Sequence, residues 1–422
     1  MKKLFALMLA LAMVLCLFAG CGDSGSGAGG STPAPAENNT PAGNTGSDGN
    51  NSGGNDAEPA QTTGEAGGTF KLGGIGPLTG GAAIYGNAAM NGAQIAVDEI
   101  NALGGAVQFD FRPEDDQHVA ETSVNAYNTL MDWGMQVLIG TVTTGPCIAV
   151  SAECYNDRVF ALTPSASSPD VIEGKDNMYQ ICFTDPNQGT GSADYIIDNM
   201  TGAKVAVIYR NDDAYSQGIR DTFKAEVDSI GGVEIVYEGT FNEATQTDFS
   251  VQLTAAQAAD ANVIFLPIYY DPASVILAQA DQMGYTPTFF GVDGMDGILS
   301  VEGFDPALAE GVMLLTPFSA DAADERTQAF VAEYQSRYGD IPNQFAADGY
   351  DCVYAIYEAI TSAGLTADMA TEDICEALIA AFTADGFSVD GLTGSGMTWK
   401  PTGEVSKAPM AVVIKDGVYV TP

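Results

Sequence analysis

The 422 residues carry 15 Lys and Arg against 55 Asp and Glu, a formal charge of −40, with one histidine and seven cysteines. A surface this acidic repels polyphosphates, so neither nucleic acid nor an anionic membrane face is expected as a partner; otherwise the charge reads as a solubility property. With His118 as the sole histidine, His-based metal sites and a Ser-His-Asp triad on this chain are nearly excluded, and no cofactor or metal is expected.

In chain order, Lys2 and Lys3 precede an apolar run, Leu4 to Phe18, followed by Ala19, Gly20 and Cys21. A basic end, a short apolar stretch and small residues define a secretory signal peptide over residues 1–20. Phe18-Ala19-Gly20-Cys21 resembles the lipobox of bacterial lipoproteins, with Phe18 where Leu is more usual, and implies a diacylglyceryl group on Cys21. An ordinary signal peptide with an incidental cysteine is the alternative. Residues 21–68 hold no aromatic or branched aliphatic side chain after Cys21, so they cannot bury enough surface to offset ordering entropy. They read as a flexible tether with an end-to-end distance of roughly 40 Å. No later segment is apolar for long enough to span a bilayer. The expected location is extracytoplasmic, on the outer face of the cell membrane, held by the lipid on Cys21.

Roughly 355 residues follow Gly68, a length for two lobes. The chain is 46% apolar with 19 Phe and 17 Tyr, enough for large cores. Short β-rich runs alternate with helical ones. Strands are expected at Phe70–Gly74, Val107–Phe111, Gln136–Ile139, Val159–Leu162 and Met178–Phe183. Helices fit Ala83–Asn101, Val119–Trp133, Pro146–Asn156 and Asn187–Met200. The pattern restarts with strands Val205–Tyr209, Val233–Tyr237, Val263–Pro267 and Thr288–Gly291, and helices Ala214–Ile230, Phe249–Ala259 and Pro272–Met283. Such alternation indicates an α/β fold of parallel sheets covered by helices. Ligands of such sheets bind beyond the carboxyl ends of the strands.

That rule selects three loops. Gly140 to Pro146 offers hydroxyls, Thr144 among them, before a helix start whose free N–H groups attract a carboxylate; a plain helix cap is the competing reading. Thr163 to Pro169 is a stiff hydroxyl-rich turn carrying Ser165 and Ser167, or simply a turn. Gly291 to Asp296 places Asp293 among small and apolar neighbours, where it suits an ammonium or caps a helix. Together the loops offer donors for a carboxylate and an acceptor for an amine, which describes a zwitterion. Tyr85, Tyr215, Tyr269, Tyr270 and Tyr350 flank these places; each taken singly is as well explained by packing. Cys147, Cys154, Cys182, Cys352 and Cys375 form no metal-type spacing; Cys154 with Cys182 is a possible disulfide, and buried thiols are the alternative.

Several segments match one family in order: Ile75 to Gly80 with Tyr85-Gly86, Asn91-Gly92-Ala93, Glu99-Ile100-Asn101, Glu114-Asp115-Asp116, Pro164 to Ser167, Asn211 to Gly218, Thr247 to Ser250, Leu266 to Tyr270 and Asp348 to Asp351. From about Phe70 onward the chain resembles the leucine/isoleucine/valine-type amino-acid-binding proteins of ABC importers. The resemblance implies a type I periplasmic-binding fold: two Rossmann-like lobes joined by a three-crossover hinge near Thr184–Pro186, Thr316–Phe318 and Gly394–Thr398. Lobe one would hold residues 69–185 and 317–394, and lobe two residues 186–316 and 395–422. It further implies that a ligand carboxylate meets Thr144, Ser165 and Ser167, that the amine meets Asp293 and Tyr215, and that Tyr85, Val142, Tyr269 and Tyr350 line the remainder. The expected partners are a small amino acid and ABC permease subunits, with the protein itself a monomer. Two departures stand out. Leucine-binding members usually carry Glu where Asp293 stands, and a disulfide of some members would join the positions of His118 and Thr143.

The expected function is therefore a non-enzymatic, lipid-anchored solute-binding protein for a branched-chain or other neutral amino acid. The alternatives are a binding protein of the same fold for a small amide or other solute, and a freestanding scavenger or sensor. A sensor ectodomain would be expected to continue into a membrane-spanning signalling segment. An enzyme is disfavoured, because Gly74-Ile75-Gly76-Pro77 has Thr79 where a dinucleotide loop needs its third glycine.

Overall fold

The computed structural model describes residues 66–422. The signal peptide, Cys21 and all but the last three residues of the tether lie outside the described residues. Among the described residues no helix is long and apolar enough to cross a membrane.

The first sheet has the order β2-β1-β3-β4-β5: β1 Gly68–Gly76, β2 Val107–Asp115, β3 Val137–Gly140, β4 Phe160–Thr163 and β5 Met178–Gln180. All its pairings are parallel. The central strands β3 and β4 are buried along their whole length, as expected where helices cover both faces. The covering helices are α1 Ala83–Ala102, α2 Ala120–Trp133 and α3 Thr144–Asp157, joined from far along the chain by α9 Gln344–Ala363 and α10 Thr371–Phe382. Helices α1 and α9 cross at very short range. A Cβ on Gly92 would strike the Ala346 carbonyl, and one on Gly349 the Ala89 carbonyl.

The second sheet has the order β12-β11-β10-β9-β8-β6-β7. Its parallel part is β6 Lys204–Arg210, β7 Glu234–Phe241, β8 Val263–Leu266, β9 Thr288–Gly291 and β10 Met313–Thr316. Its helices are α4 Asp185–Asn199, α5 Ala214–Ile230, α6 Ser250–Ala258 and α7 Tyr270–Gln282. The last strands, β11 Met410–Lys415 and β12 Val418–Val420, run antiparallel, so the second sheet is mixed. Helix α8 Glu325–Tyr338 follows β10.

Three details differ from the sequence reading. Gly67 and Gly68, assigned above to the tether, are held down: the Gly67 N–H donates to the Leu365 carbonyl at 3.0 Å, and its own carbonyl accepts from Ala367 at 2.9 Å. Residues 398–405 stay with the first lobe, because the Trp399 indole donates to the Gln180 carbonyl at 2.8 Å and the Gln180 N–H to the Gly403 carbonyl at 2.9 Å. The chain therefore returns to the second sheet after Ser406 instead of near Gly394–Thr398. Finally, all five cysteines in the described residues are buried and free; there is no Cys154–Cys182 bond.

Candidate functional site

The carboxyl ends of both sheets face one cavity. Tyr85, Val142, Thr143, Thr144, Ser165 and Phe345 line it from the first lobe, and Tyr215, Tyr269, Asp293 and Gly294 from the second. Seven of the nine ligand-binding residues expected from the sequence are thus brought together.

The first wall is built around hydroxyls. β3 ends at Gly140, and Thr143 takes an extended conformation (φ −109°, ψ 149°) that starts α3 at Thr144. No side chain caps this helix. The Thr143 hydroxyl is instead engaged with His118 Nδ1 at 2.9 Å, so these two positions touch through a hydrogen bond. The first-turn N–H groups of α3 are left for whatever lies in front of them. Thr144 Oγ1 is buried with no hydrogen-bond partner. Thr163 fastens the next loop: its hydroxyl donates to the Thr141 carbonyl at 2.6 Å and accepts from the N–H groups of Ala166 (2.9 Å) and Ser165 (3.3 Å).

The second wall carries the acid. Asp293 follows β9 in a short 3-10 turn and is 3% exposed. The Tyr215 hydroxyl donates to Asp293 Oδ1 at 2.5 Å and accepts from the Gly294 N–H at 3.0 Å. The Tyr215 ring stacks on Tyr269 at 4.8 Å and 6°, and Tyr269's own hydroxyl is buried without a partner. Gly294 has to lack a side chain here, since a Cβ would stand 2.5 Å from the Tyr215 hydroxyl and 3.0 Å from the Ile268 carbonyl. The Asp293 N–H donates to Gln188 Oε1 at 3.2 Å, and its carbonyl accepts from Gln344 Nε2 at 2.9 Å.

No lysine or arginine lines the cavity. Burial pushes the Asp293 carboxyl up to about 7, against the lowering effect of hydrogen bonds from Tyr215, Gln188 and the Gly294 N–H. Burial, aided by the Arg210 charge, lowers His118 to about 4, so its imidazole is neutral at neutral pH. Asp293 is therefore a buried acid in want of a cation.

Two expected residues lie elsewhere. Ser167 is buried at the first crossover: its carbonyl accepts from the Asp185 N–H at 3.0 Å, and Gln188 Nε2 reaches its hydroxyl at 3.5 Å. Tyr350 sits inside the first lobe, donating to Glu99 Oε2 at 2.6 Å and packing on Phe330 and Tyr354. Sequence reasoning missed Thr143, Phe345 and Gly294 in the lining, and Gln188 and Gln344 behind it. Gln344 and Phe345 open α9 after the Asn343 cap, and that Asn-x-x cap was the signal available for them.

The walls nearly touch. The space between them is about 10 Å3, enough for roughly one water molecule. The Tyr85 hydroxyl donates to the Gly294 carbonyl and accepts from the Tyr270 N–H, the latter at 3.0 Å. Solute the size of an amino acid enters only if the lobes part, and the lobes are joined by three chain crossings, which makes a hinge.

Two α/β lobes that close polar walls over a central cleft define a solute-binding protein. The family model described as "Periplasmic binding protein" matches residues 69–417, and the chain belongs to that family. Leu/Ile/Val-binding protein homolog 3 of Brucella melitensis is 29% identical over 344 residues, covering 79% of this chain and 88% of that one. Among solved structures, the leucine-binding protein LivK of Thermotoga maritima superposes with a TM-score of 0.74 at 26% identity, covering 84% of this chain and 97% of its own. The branched-chain amino-acid transporter substrate-binding protein LivJ of Streptococcus pneumoniae, solved with isoleucine, also gives 0.74 at 26% identity, covering 84% of this chain and 100% of its own.

Proposed function

We propose that this chain is the extracytoplasmic, lipid-anchored solute-binding component of an ABC importer and takes a small neutral amino acid, of the branched-chain class, between its lobes. The observation that carries the reading is a cavity with opposed walls: Asp293, buried without a cation, on one side, and the uncapped start of α3 with the unpartnered Thr144 hydroxyl on the other. A ligand ammonium pairs with Asp293, and its carboxylate takes the α3 N–H groups, Thr144 and Ser165. The side chain is left to Tyr85, Val142, Tyr269 and Phe345. Relatives named for leucine, isoleucine and valine support the solute class.

Binding is differential. In the closed cleft an ionised Asp293 is penalised, and an ammonium removes the penalty, so ligand shifts the lobes toward closure. Nothing in this scheme breaks a bond. The closed form would be delivered to permease subunits by a monomer held through the lipid on Cys21. A thermal-shift screen of the soluble body over the amino acids tests the reading, since a ligand that prefers the native state raises Tm. Leucine, isoleucine or valine should give the largest shifts. A protein indifferent to every amino acid and stabilised by another solute would refute it.

A further inference from the structure

A second cavity, of about 400 Å3, opens where Ala320–Asn343 of the first lobe's side meets Asp296–Ser300 and Gly417–Tyr419 of the second. Much of its wall is apolar, with Leu299, Val331 and Pro342 beside the Tyr419 ring. Its rim carries Ile341, 56% exposed, and Val418, 45% exposed, so the apolar wall continues to the surface. Its charges are of one sign: Asp296, Asp321 and Asp340 line it, and no lysine or arginine does.

Asp296 is the informative group. It is 4% exposed. Oδ2 accepts from the Gln344 N–H at 2.9 Å, whereas Oδ1 is buried without a hydrogen-bond partner. The Tyr419 hydroxyl beside it accepts the Gly297 N–H at 3.2 Å. Burial raises the Asp296 carboxyl to about 6, against the lowering effect of the Gln344 N–H, the Tyr419 hydroxyl and the Gly297 N–H, all of them neutral groups. Among the described residues no group of His, Cys, Asp and Glu is arranged to hold a metal ion.

We propose that this cavity is a second binding site, for a small organic ammonium with an apolar body: the ammonium pairs with Asp296, and the arm packs on Leu299, Val331 and Val418. Both lobes contribute to it, so its occupant spans their boundary. The site is separate from the amino-acid cleft and stands or falls without it.

The test is calorimetric titration of the protein at about pH 8, where Asp296 is ionised, with phenethylammonium chloride. 2-Phenylethanol and phenylacetate are the uncharged and anionic counterparts. Binding in roughly the millimolar range or tighter is expected for the cation, with at least about tenfold weaker binding of both counterparts. Because the cation could also seek the cleft acid, the titration is repeated in Asp293→Asn, where binding should persist. It should weaken about tenfold or more in Asp296→Asn. Leu299→Trp fills the cavity from a half-buried position without touching the carboxylate, and it too should abolish binding while circular dichroism stays native. Absence of heat, equal binding of 2-phenylethanol, loss in Asp293→Asn, or unchanged binding in Leu299→Trp would overturn the proposal.

Discussion

Replacing Asp293 with Asn removes a charge but keeps the shape. In the closed cleft the Asp293 carboxyl is raised from 3.8 to about 7, with burial as the main cause. A carboxyl raised from 3.8 to about 7 carries roughly 4 kcal/mol of penalty on its ionised form. The sign follows from linkage. The native acid binds its proton more tightly than the unfolded one, so its contribution to stability is fully present below about pH 4. It is lost progressively as pH rises to about 7 and is constant above. The Asp293→Asn variant, with no proton to lose at this position, would lose nothing in that window. For lobes that stay closed without amino acid, the variant should therefore be more stable than the parent above about pH 7 and approach it near pH 4. Asp116 and Asp296, each raised to about 6 by burial, titrate in both proteins and cancel in the difference, whereas Asp185 and Asp348 interact with the Asp293 charge and contribute to it. With amino acid the order reverses: loss of the ammonium's partner should cost about 2–4 kcal/mol, a factor of roughly thirty to several hundred in Kd. Urea unfolding across that pH range and calorimetry at neutral pH read the two effects. Parallel pH profiles for the two proteins, or affinity unchanged within about threefold, would refute the reasoning.

Thr144→Val should leave stability without ligand within about 0.5 kcal/mol, because Thr144 Oγ1 has no partner to lose. It should weaken amino-acid binding about tenfold by calorimetry, the worth of one hydrogen bond to a carboxylate. Gly294→Ala places a methyl 2.5 Å from the Tyr215 hydroxyl. The displaced tyrosine should cost about 1–3 kcal/mol of stability in denaturant unfolding and more than tenfold in affinity. Cys21→Ser should release the protein from the membrane fraction of cells expressing the full chain, as judged by immunoblotting, because one lipidated cysteine is the proposed anchor.

Much of the fold was legible because its strands are short apolar runs punctuated by glycine, and because a helix such as α5 begins at a capping residue, Asp213. Ala214–Ile230 and Thr288–Gly291 were placed with the bounds observed. The misses have local causes. α3 starts at Thr144 and not Pro146 because extended Thr143 already closes the first helical bond, from the Cys147 N–H at 3.0 Å. Helices α8 to α10 were left unread, and with them Gln344 and Phe345, whose place at the cleft depends on α9 folding back onto α1. The opposed polarity of the cleft was visible in Thr144, Ser165 and Asp293, since strand ends mark the ligand edge of a parallel sheet. Ser167 was misplaced because a hydroxyl near a strand end can serve the backbone as readily as a ligand, and Tyr350, placed at the site by the resemblance, because it lies in α9 and is buried inside the first lobe. Ser167 meets Gln188 and the Asp185 N–H, and Tyr350 meets Glu99. The hairpin that keeps Trp399 on the first lobe rests on long-range bonds to Gln180 that no local pattern announces.

A cleft that reads two charges at once is tested most sharply by comparing one amino acid with its two halves. Calorimetry should be run with leucine, with 3-methylbutylamine, which lacks the carboxylate, and with 4-methylpentanoate, which lacks the amine. Leucine should bind, and each analogue should bind at least about a hundredfold more weakly, since each leaves one wall unpaired. Equal binding of 4-methylpentanoate and leucine would contradict the role given to Asp293 and with it the proposed solute class.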